Sequence, residues 1–177
     1  TLKKKGSIFV KEINFSGNEA FSERKLKKEI QTEESVWYKF FSSNDTYNED
    51  KLEFDKELLR RLYLTSGYTD FSVLSANAYQ PEGEEDFVID FELSEGPKYS
   101  FGKISVESSI KNIDLSDIEE SIETIEGEIF NAALIESSID AITNIVAEKG
   151  YAFVAIDPII NKNSKKQLVN ITYNIKQ

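Results

Sequence analysis

One pattern occurs twice in this chain, 83 residues apart: an amphipathic helix, a glycine-tyrosine pair, then a strand. In the first copy Asn48 stands where a helix cap is needed. Glu49 and Asp50 follow it in the first turn, where the helix dipole favours acids. Leu52, Leu59, Leu62 and Tyr63 recur at helical spacing and share one face. Arg60 and Arg61 lie toward the C-terminal end, and Gly67 supplies a residue able to leave the helix in the left-handed conformation. The second copy opens at Asn131. Its stripe is Ile135, Ile139, Ile142, Ile145 and Val146, and Gly150-Tyr151 closes it. A repeat of this size is a folding unit, so the chain reads as two domains, 8–97 and 98–177.

The flanking segments complete each unit. Ile8 to Phe15 alternates as a strand and turns at Ser16-Gly17-Asn18. Ser22 is placed to cap a short helix over Glu23–Ile30. A long connection, Gln31 to Tyr47, leads to the first organising helix. Phe71 to Tyr79 is then a strand, and Phe87 to Leu93 another, with Phe87, Ile89, Phe91 and Leu93 on one face. Glu95-Gly96-Pro97 breaks the chain, and Gly96 with Pro97 reads as both terminator and hinge. The cycle restarts with a strand at Phe101–Val106. A capping box at Ser116 and Glu119 opens a helix carrying Ile118, Ile122 and Ile125. After the second organising helix come strands at Ala152–Ile156 and Leu168–Ile175. Each unit is therefore β-α-α-β-β. The fold class is α+β, each unit a three-stranded mixed sheet covered on one face by two helices. The last strand of each unit is the most apolar and belongs in the centre. The strand after Gly-Tyr is more polar, as Ser72, Ser75 and Asn77 show, and belongs at an edge.

Composition narrows the chemistry. Cysteine, methionine and histidine are absent, which removes disulfides, thiolate metal sites and an imidazole base. The segment Asn44-Asp45 with Asn48-Glu49-Asp50 lacks the glycine and ligand spacing of a calcium loop. No catalytic, cofactor or metal residue is expected. The net charge is −11, with 13 basic and 20 acidic residues up to Pro97 and 8 basic and 12 acidic beyond it. Both parts repel phosphate backbones and anionic lipid, so no nucleic-acid partner is expected. The basic run Lys3-Lys4-Lys5 reads as a solvated tail. No apolar run is long enough to span a bilayer as a helix.

The chain resembles the POTRA repeats of the Omp85 outer-membrane assembly proteins. The residues that carry this are Ile13-Asn14-Phe15-Ser16-Gly17-Asn18, Gly67-Tyr68, Gly150-Tyr151 and Glu95-Gly96. The aromatic connection Val36-Trp37-Tyr38-Lys39-Phe40-Phe41 with Tyr47, and Glu126-Gly127-Glu128-Ile129-Phe130-Asn131, look closer to the third and fourth repeats of the family's assembly factor than to its other members. One departure is Glu107-Ser108-Ser109, which stands where the family places a glycine-asparagine turn.

The resemblance implies a periplasmic part of a Gram-negative outer-membrane protein that does not insert into the membrane by itself. It also implies a non-enzymatic scaffold without cofactors. Its partners would be nascent outer-membrane β-barrel proteins and accessory assembly lipoproteins. The physical route is β-augmentation, an extended segment pairing with an exposed sheet edge. The expected edge is Phe71, Ser72, Val73, Leu74, Ser75 and Ala76, continuing to Tyr79. Phe71, Val73 and Ser75 are expected on one face and Ser72, Leu74 and Ala76 on the other. With neither proline nor charge in the strand, the usual edge-blocking devices are expected to be missing. Trp37, Tyr38, Phe40 and Phe41 either pack the long loop onto its own domain or form a second partner surface. The alternative reading is a POTRA pair of another Omp85 branch serving a secretion channel or translocon.

Overall fold

The computed structural model describes residues 8–36 and 44–177. The lysine run at 3–5 and the aromatic group Trp37, Tyr38, Phe40 and Phe41 lie outside the described residues.

The chain forms two compact units, the first ending at Gly96 and the second beginning at Pro97, with Leu64–Thr69 grouped with the second. The first unit runs β1 (Val10–Ser16), α1 (Glu23–Glu29), α2 (Glu49–Leu64), β2 (Ser72–Tyr79) and β3 (Phe87–Ser94). Its sheet order is β1-β3-β2, with β1 parallel and β2 antiparallel to β3. The second unit repeats this as β4 (Ser100–Ser108), α3 (Ser116–Glu120), α4 (Ala132–Glu148), β5 (Ala155–Asn163) and β6 (Leu168–Lys176), ordered β4-β6-β5. The most apolar strand is central in each sheet, because only a central strand has its apolar face shielded by neighbours on both sides. Ile89, Phe91 and Leu93 are buried in β3, and Val169, Ile171, Tyr173 and Ile175 in β6.

The helices bury corresponding stripes. In α2 these are Leu52, Asp55, Leu59 and Tyr63; in α4 they are Ile135, Ser138, Ile142 and Val146, each 83 positions on. The caps work as their residue types dictate. The Asn48 side chain accepts from the Asp50 N–H at 2.8 Å and the Lys51 N–H at 3.2 Å. Asn131 accepts from the Ala133 N–H at 2.9 Å, and Ser22 from the Lys25 N–H at 3.3 Å.

Glu95 is the fastener of the first unit. Its carboxylate accepts from the Tyr63 hydroxyl at 2.7 Å and from the Ala20 N–H at 3.0 Å, so it ties the α2 end to the turn after β1. Gly17 in that turn has φ +80°, and a Cβ there would fall 2.0 Å from the Leu93 carbonyl oxygen, so only glycine fits.

Three expectations are corrected in the second unit, and its first turn differs from that of the first unit. Ser116 and Glu119 form no capping box. Ser116 lies inside α3, and it is the Asp114 carboxylate that accepts from the Ser116 N–H (3.0 Å) and Oγ–H (2.8 Å), an Asx turn one step earlier. The helix ends at Glu120, so Ile118 is buried while Ile125 is 60% exposed. The strand expected at 152–156 starts only at Ala155, after Phe153 takes φ +60°, and continues to Asn163 through Pro158. Where glycine is missing from the turn after β4, the strand runs on to Ser108 and the left-handed position moves to Asn112 (φ +60°).

Candidate binding edge

Each sheet has two outer strands, and the fold treats them differently. The outer side of β1 is covered by the long connection. The Val10 N–H donates to the Asp45 carbonyl at 2.7 Å, the Tyr47 N–H to Ile8 at 3.0 Å, and the Ser35 N–H to Val10 at 2.7 Å. The Ile13 N–H donates to the Glu34 carboxylate at 2.9 Å. A bridge pairs Phe9 with Thr46. The second unit has the same device: Ser100 bridges Ile129, the Phe101 N–H donates to Glu128 at 2.8 Å, and the Phe130 N–H to Tyr99 at 3.0 Å. The segment Glu126–Phe130 thus serves as the edge cover of β4.

Among the described residues no such cover lies along β2, whose strand partner is β3 alone. Its backbone carries hydrogen-bonding groups on a side that no strand of the sheet occupies, the condition for accepting an added strand.

The side chains along β2 do not alternate as expected. Val73 pairs with Leu93 and Ser75 with Glu92, so Leu74 is the extra residue of a bulge. Directly paired residues share a face. Beyond the bulge Ala76, opposite Phe91, and Ala78, opposite Ile89, lie on the helix-covered face with Val73. Ser75, Asn77 and Tyr79 lie on the other face. The grouping of Ser75 with Val73 and of Ala76 with Leu74 is therefore corrected, because one inserted residue flips every later side chain. A bulge is itself an edge-modifying device, so the strand does not lack one; it lies near the start and leaves Ser75–Tyr79 in regular register. Ser72 is exposed at the start of β2, and Leu74 is 60% exposed. Phe71 precedes the strand and is 6% exposed, stacked on Tyr63 with ring centroids 4.0 Å apart, so its side chain belongs to the core.

The open face beside this edge is acidic. Pairing places Glu12, Asn14 and Ser16 of β1, Val88, Asp90 and Glu92 of β3, and Tyr79, Asn77 and Ser75 of β2 in rows across it. Asp90 accepts from Asn14 Nδ2 at 3.0 Å, and Glu92 from Ser75 Oγ at 3.3 Å. Burial and the neighbouring Asp90 carboxylate raise the Tyr79 phenol above its ordinary value. The base on these strands, Lys11, sits at the β1 bulge and is paired with Glu84 at 2.7 Å.

The corresponding edge in the second unit is β5. Pro158 stands within it in regular register opposite Tyr173, which requires its missing N–H to lie on the unpaired side. Ile159 and Ile160 are each about half exposed.

Asp55 and Ser138 are the functional-looking residues that sequence reasoning missed, and their role is internal. Asp55, fully buried, accepts from the Gln31 N–H at 2.6 Å and the Thr32 N–H at 3.2 Å. Burial pushes its carboxyl up, and the hydrogen bonds from Thr32 and Gln31 offset this only in part. Ser138 does the same work with a hydroxyl, accepting from the Glu123 N–H at 2.9 Å and donating to the Leu134 carbonyl at 2.6 Å. Their signal was a polar residue inside an apolar stripe, at the same place in both copies.

Among the described residues no group of acidic side chains is arranged to hold a metal ion, and no helix is long and apolar enough to cross a membrane. A groove of about 740 Å³ beside α1 is lined by Ile13, Glu23, Arg24, Lys27 and Glu34. Lys27 bridges Glu23 and Glu34, each at 2.7 Å, and these carboxylates raise the ammonium's pKa against its partial burial.

Comparison with known proteins converges on one family. The POTRA family model, described as a surface antigen variable number repeat, matches residues 8–96 and 99–177. The chain is 32% identical over 175 residues to the outer membrane protein assembly factor BamA of Neorickettsia risticii, covering 99% of this chain and 23% of that protein. It is 26% identical over 168 residues to BamA of Neisseria meningitidis, covering 93% and 21%. It therefore spans less than a quarter of the length of these relatives. The crystal structure of Haemophilus influenzae BamA POTRA3-5 matches with a TM-score of 0.74 at 18% identity, over 99% of this chain and 69% of that one. The POTRA1-2 structure of Anabaena Omp85 gives 0.54 at 11% identity, over 96% and 95%. With the family model matching both units and the fold shared with these solved repeats, the chain belongs to the POTRA family, as two tandem β-α-α-β-β domains.

Proposed function

We propose that this chain is a periplasmic, non-enzymatic scaffold of outer-membrane protein assembly, which holds extended segments of nascent β-barrel proteins and accessory lipoproteins by strand addition at β2. The observation that carries the reading is the asymmetry of the first sheet: β1 is covered along its outer side and β2 pairs with β3 alone. The assembly-factor relatives support the biological setting. Backbone pairing tolerates many sequences, which suits a handler of varied clients. Ser72, Val73, Leu74, Ser75 and Ala76 supply the first part of the edge, and Asn77 to Tyr79 the regular part. Gly96, with φ +68°, followed by the fixed φ of Pro97, acts as the joint between the repeats.

The test uses a pair of variants, Ala76→Pro and Asn77→Pro. Successive residues in a strand point their N–H groups to opposite sides, so one of the two removes an outward donor and spares the ladder. That variant is recognised by native far-UV circular dichroism and melting. It should bind extended peptides from barrel strands roughly five- to tenfold more weakly, the worth of about one lost hydrogen bond plus a bent edge. Unchanged binding by that folded variant would contradict the reading.

A further inference from the structure

The edge of β2 lies beside a row of carboxylates, and this bears on which strands it accepts. Strands of the first sheet carry Glu12, Asp90 and Glu92 on the open face. The hairpin joining β2 and β3 adds Glu82, Glu84, Glu85 and Asp86. Lys11, the base among these residues, is already paired with Glu84. Two of the β2 side chains between the free edge and the acids are short, Ser75 in front of Glu92 and Asn77 in front of Asp90, while the longer Tyr79 reaches Asp90 from the end of the strand. An added strand would lie two strand spacings, about 10 Å, from β3. A lysine or arginine on it can reach over serine or asparagine to the carboxylate behind.

We propose that β2 selects extended segments with basic residues at alternate positions, the cations lying on the acidic open face and the intervening apolar residues toward the helix side. The inference rests on strand addition at β2 and adds a charge code to it. Complementary charge at a site of this kind acts on partner choice and encounter rate, and like charge repels wrong partners. The helix-side neighbours of the added strand are Val73, Ala76 and Ala78, small enough to leave room for valine or isoleucine. The second sheet lacks this arrangement. Its open face carries Ser105, Asn170, Thr172 and Asn174 with two carboxylates, Glu107 and Asp157, in the Asn174 row; Asp157 is paired with Lys176 at 2.8 Å, and Pro158 interrupts the edge.

Short capped peptides of valine alternating with lysine, and of valine alternating with glutamate, are titrated into the 177-residue chain by fluorescence anisotropy. The lysine peptide should bind roughly tenfold or more tightly, and the preference should shrink as salt is raised. The Asp90→Asn/Glu92→Gln variant should remove most of the preference. The control variant Glu136→Gln/Asp140→Asn, which takes the same charge from the exposed side of α4, should keep it. Equal binding of the two peptides, or a preference that survives loss of Asp90 and Glu92, overturns the charge code. The outward proline variant separates the two levels. If it weakens both peptides alike and no charge preference exists, strand addition stands and the code fails. If it leaves both unchanged, strand addition at β2 itself fails.

Discussion

Helices α2 and α4 place a polar residue at the same buried position, and they answer the same demand with different chemistry. Asp55 uses a carboxylate to hold the Gln31 and Thr32 N–H groups; Ser138 uses a hydroxyl to hold Glu123. The demand is common because in both units the chain leaves the first helix and must turn under the second, exposing N–H groups that no ladder takes. The carboxylate can accept several bonds and spans a longer loop, at the cost of burying charge. The hydroxyl accepts one and returns its own proton to Leu134. Conserving a buried polar position while changing its chemistry means that the fold requires the bond, and a particular residue only secondarily. The edges follow the same logic in reverse. Both units cover their first strand in the same way, yet β5 carries a proline and β2 does not. The shared features are structural, and the unshared ones mark where the two edges differ.

The largest effect should come from the core stripe, at Tyr63 against its counterpart Val146. Tyr63→Ala removes a stacked ring and the hydroxyl that holds Glu95. It should cost about 3–5 kcal/mol in denaturant unfolding. Val146→Ala removes two methyl groups and should cost about 2 kcal/mol. Similar costs at the two sites would show that the Glu95 fastening adds nothing.

Next come the buried acceptors. Asp55→Ala strands the buried Thr32 N–H and the partly buried Gln31 N–H and should cost about 2–3 kcal/mol; Ser138→Ala strands the more exposed Glu123 N–H and should cost about 1 kcal/mol. The reverse ranking would sink the account of the carboxylate.

Acid titration separates the units by sign. The Asp55 carboxyl is raised above its ordinary 3.8. The folded state therefore holds this proton more tightly than the unfolded chain. Its contribution is fully present below pH 3.8 and is lost as pH rises through the folded value. Asp114 is lowered from 3.8, first by the Ser116 N–H and then by the Ser116 hydroxyl. Its contribution is present above pH 3.8 and is lost as pH falls through the folded value. Subtracting the stability profiles of Asp55→Asn and Asp114→Asn from that of the parent should give slopes of opposite sign. Slopes of the same sign would refute the assignment of causes.

The smallest effect is expected at Leu74. Exposed at the bulge, it should tolerate Leu74→Ser within about 0.5 kcal/mol in thermal unfolding. A larger loss would mean that the bulge residue packs against something.

The repeat made most of the architecture legible in the sequence. The 83-residue offset, the asparagine caps and the two apolar last strands fixed element order, strand order and the helix faces. Four things were hidden for physical reasons. The bulge at Leu74 leaves no mark on periodicity, because serine and alanine are small enough for either face. The polar break that Asp55 makes in its stripe is visible, but its partners Gln31 and Thr32 are not, because only tertiary structure brings them to it. The cover of β1 and β4 lies in irregular backbone, whose hydrogen bonds have no periodic signature. The acidic face was also invisible, since Glu12 and Asp90 are 78 residues apart and only the parallel pairing of β1 with β3 brings them to one surface.

The central claim is that β2 receives an added strand and β5 does not. Amide hydrogen exchange, read residue by residue by NMR with and without a saturating barrel-strand peptide, measures this directly. Alternate amides from Ser75 to Tyr79, those facing away from β3, should exchange more slowly with peptide bound, while those of Ala155–Asn163 are unchanged. Bound peptide that leaves β2 exchange untouched, or that protects β5 instead, would contradict the account.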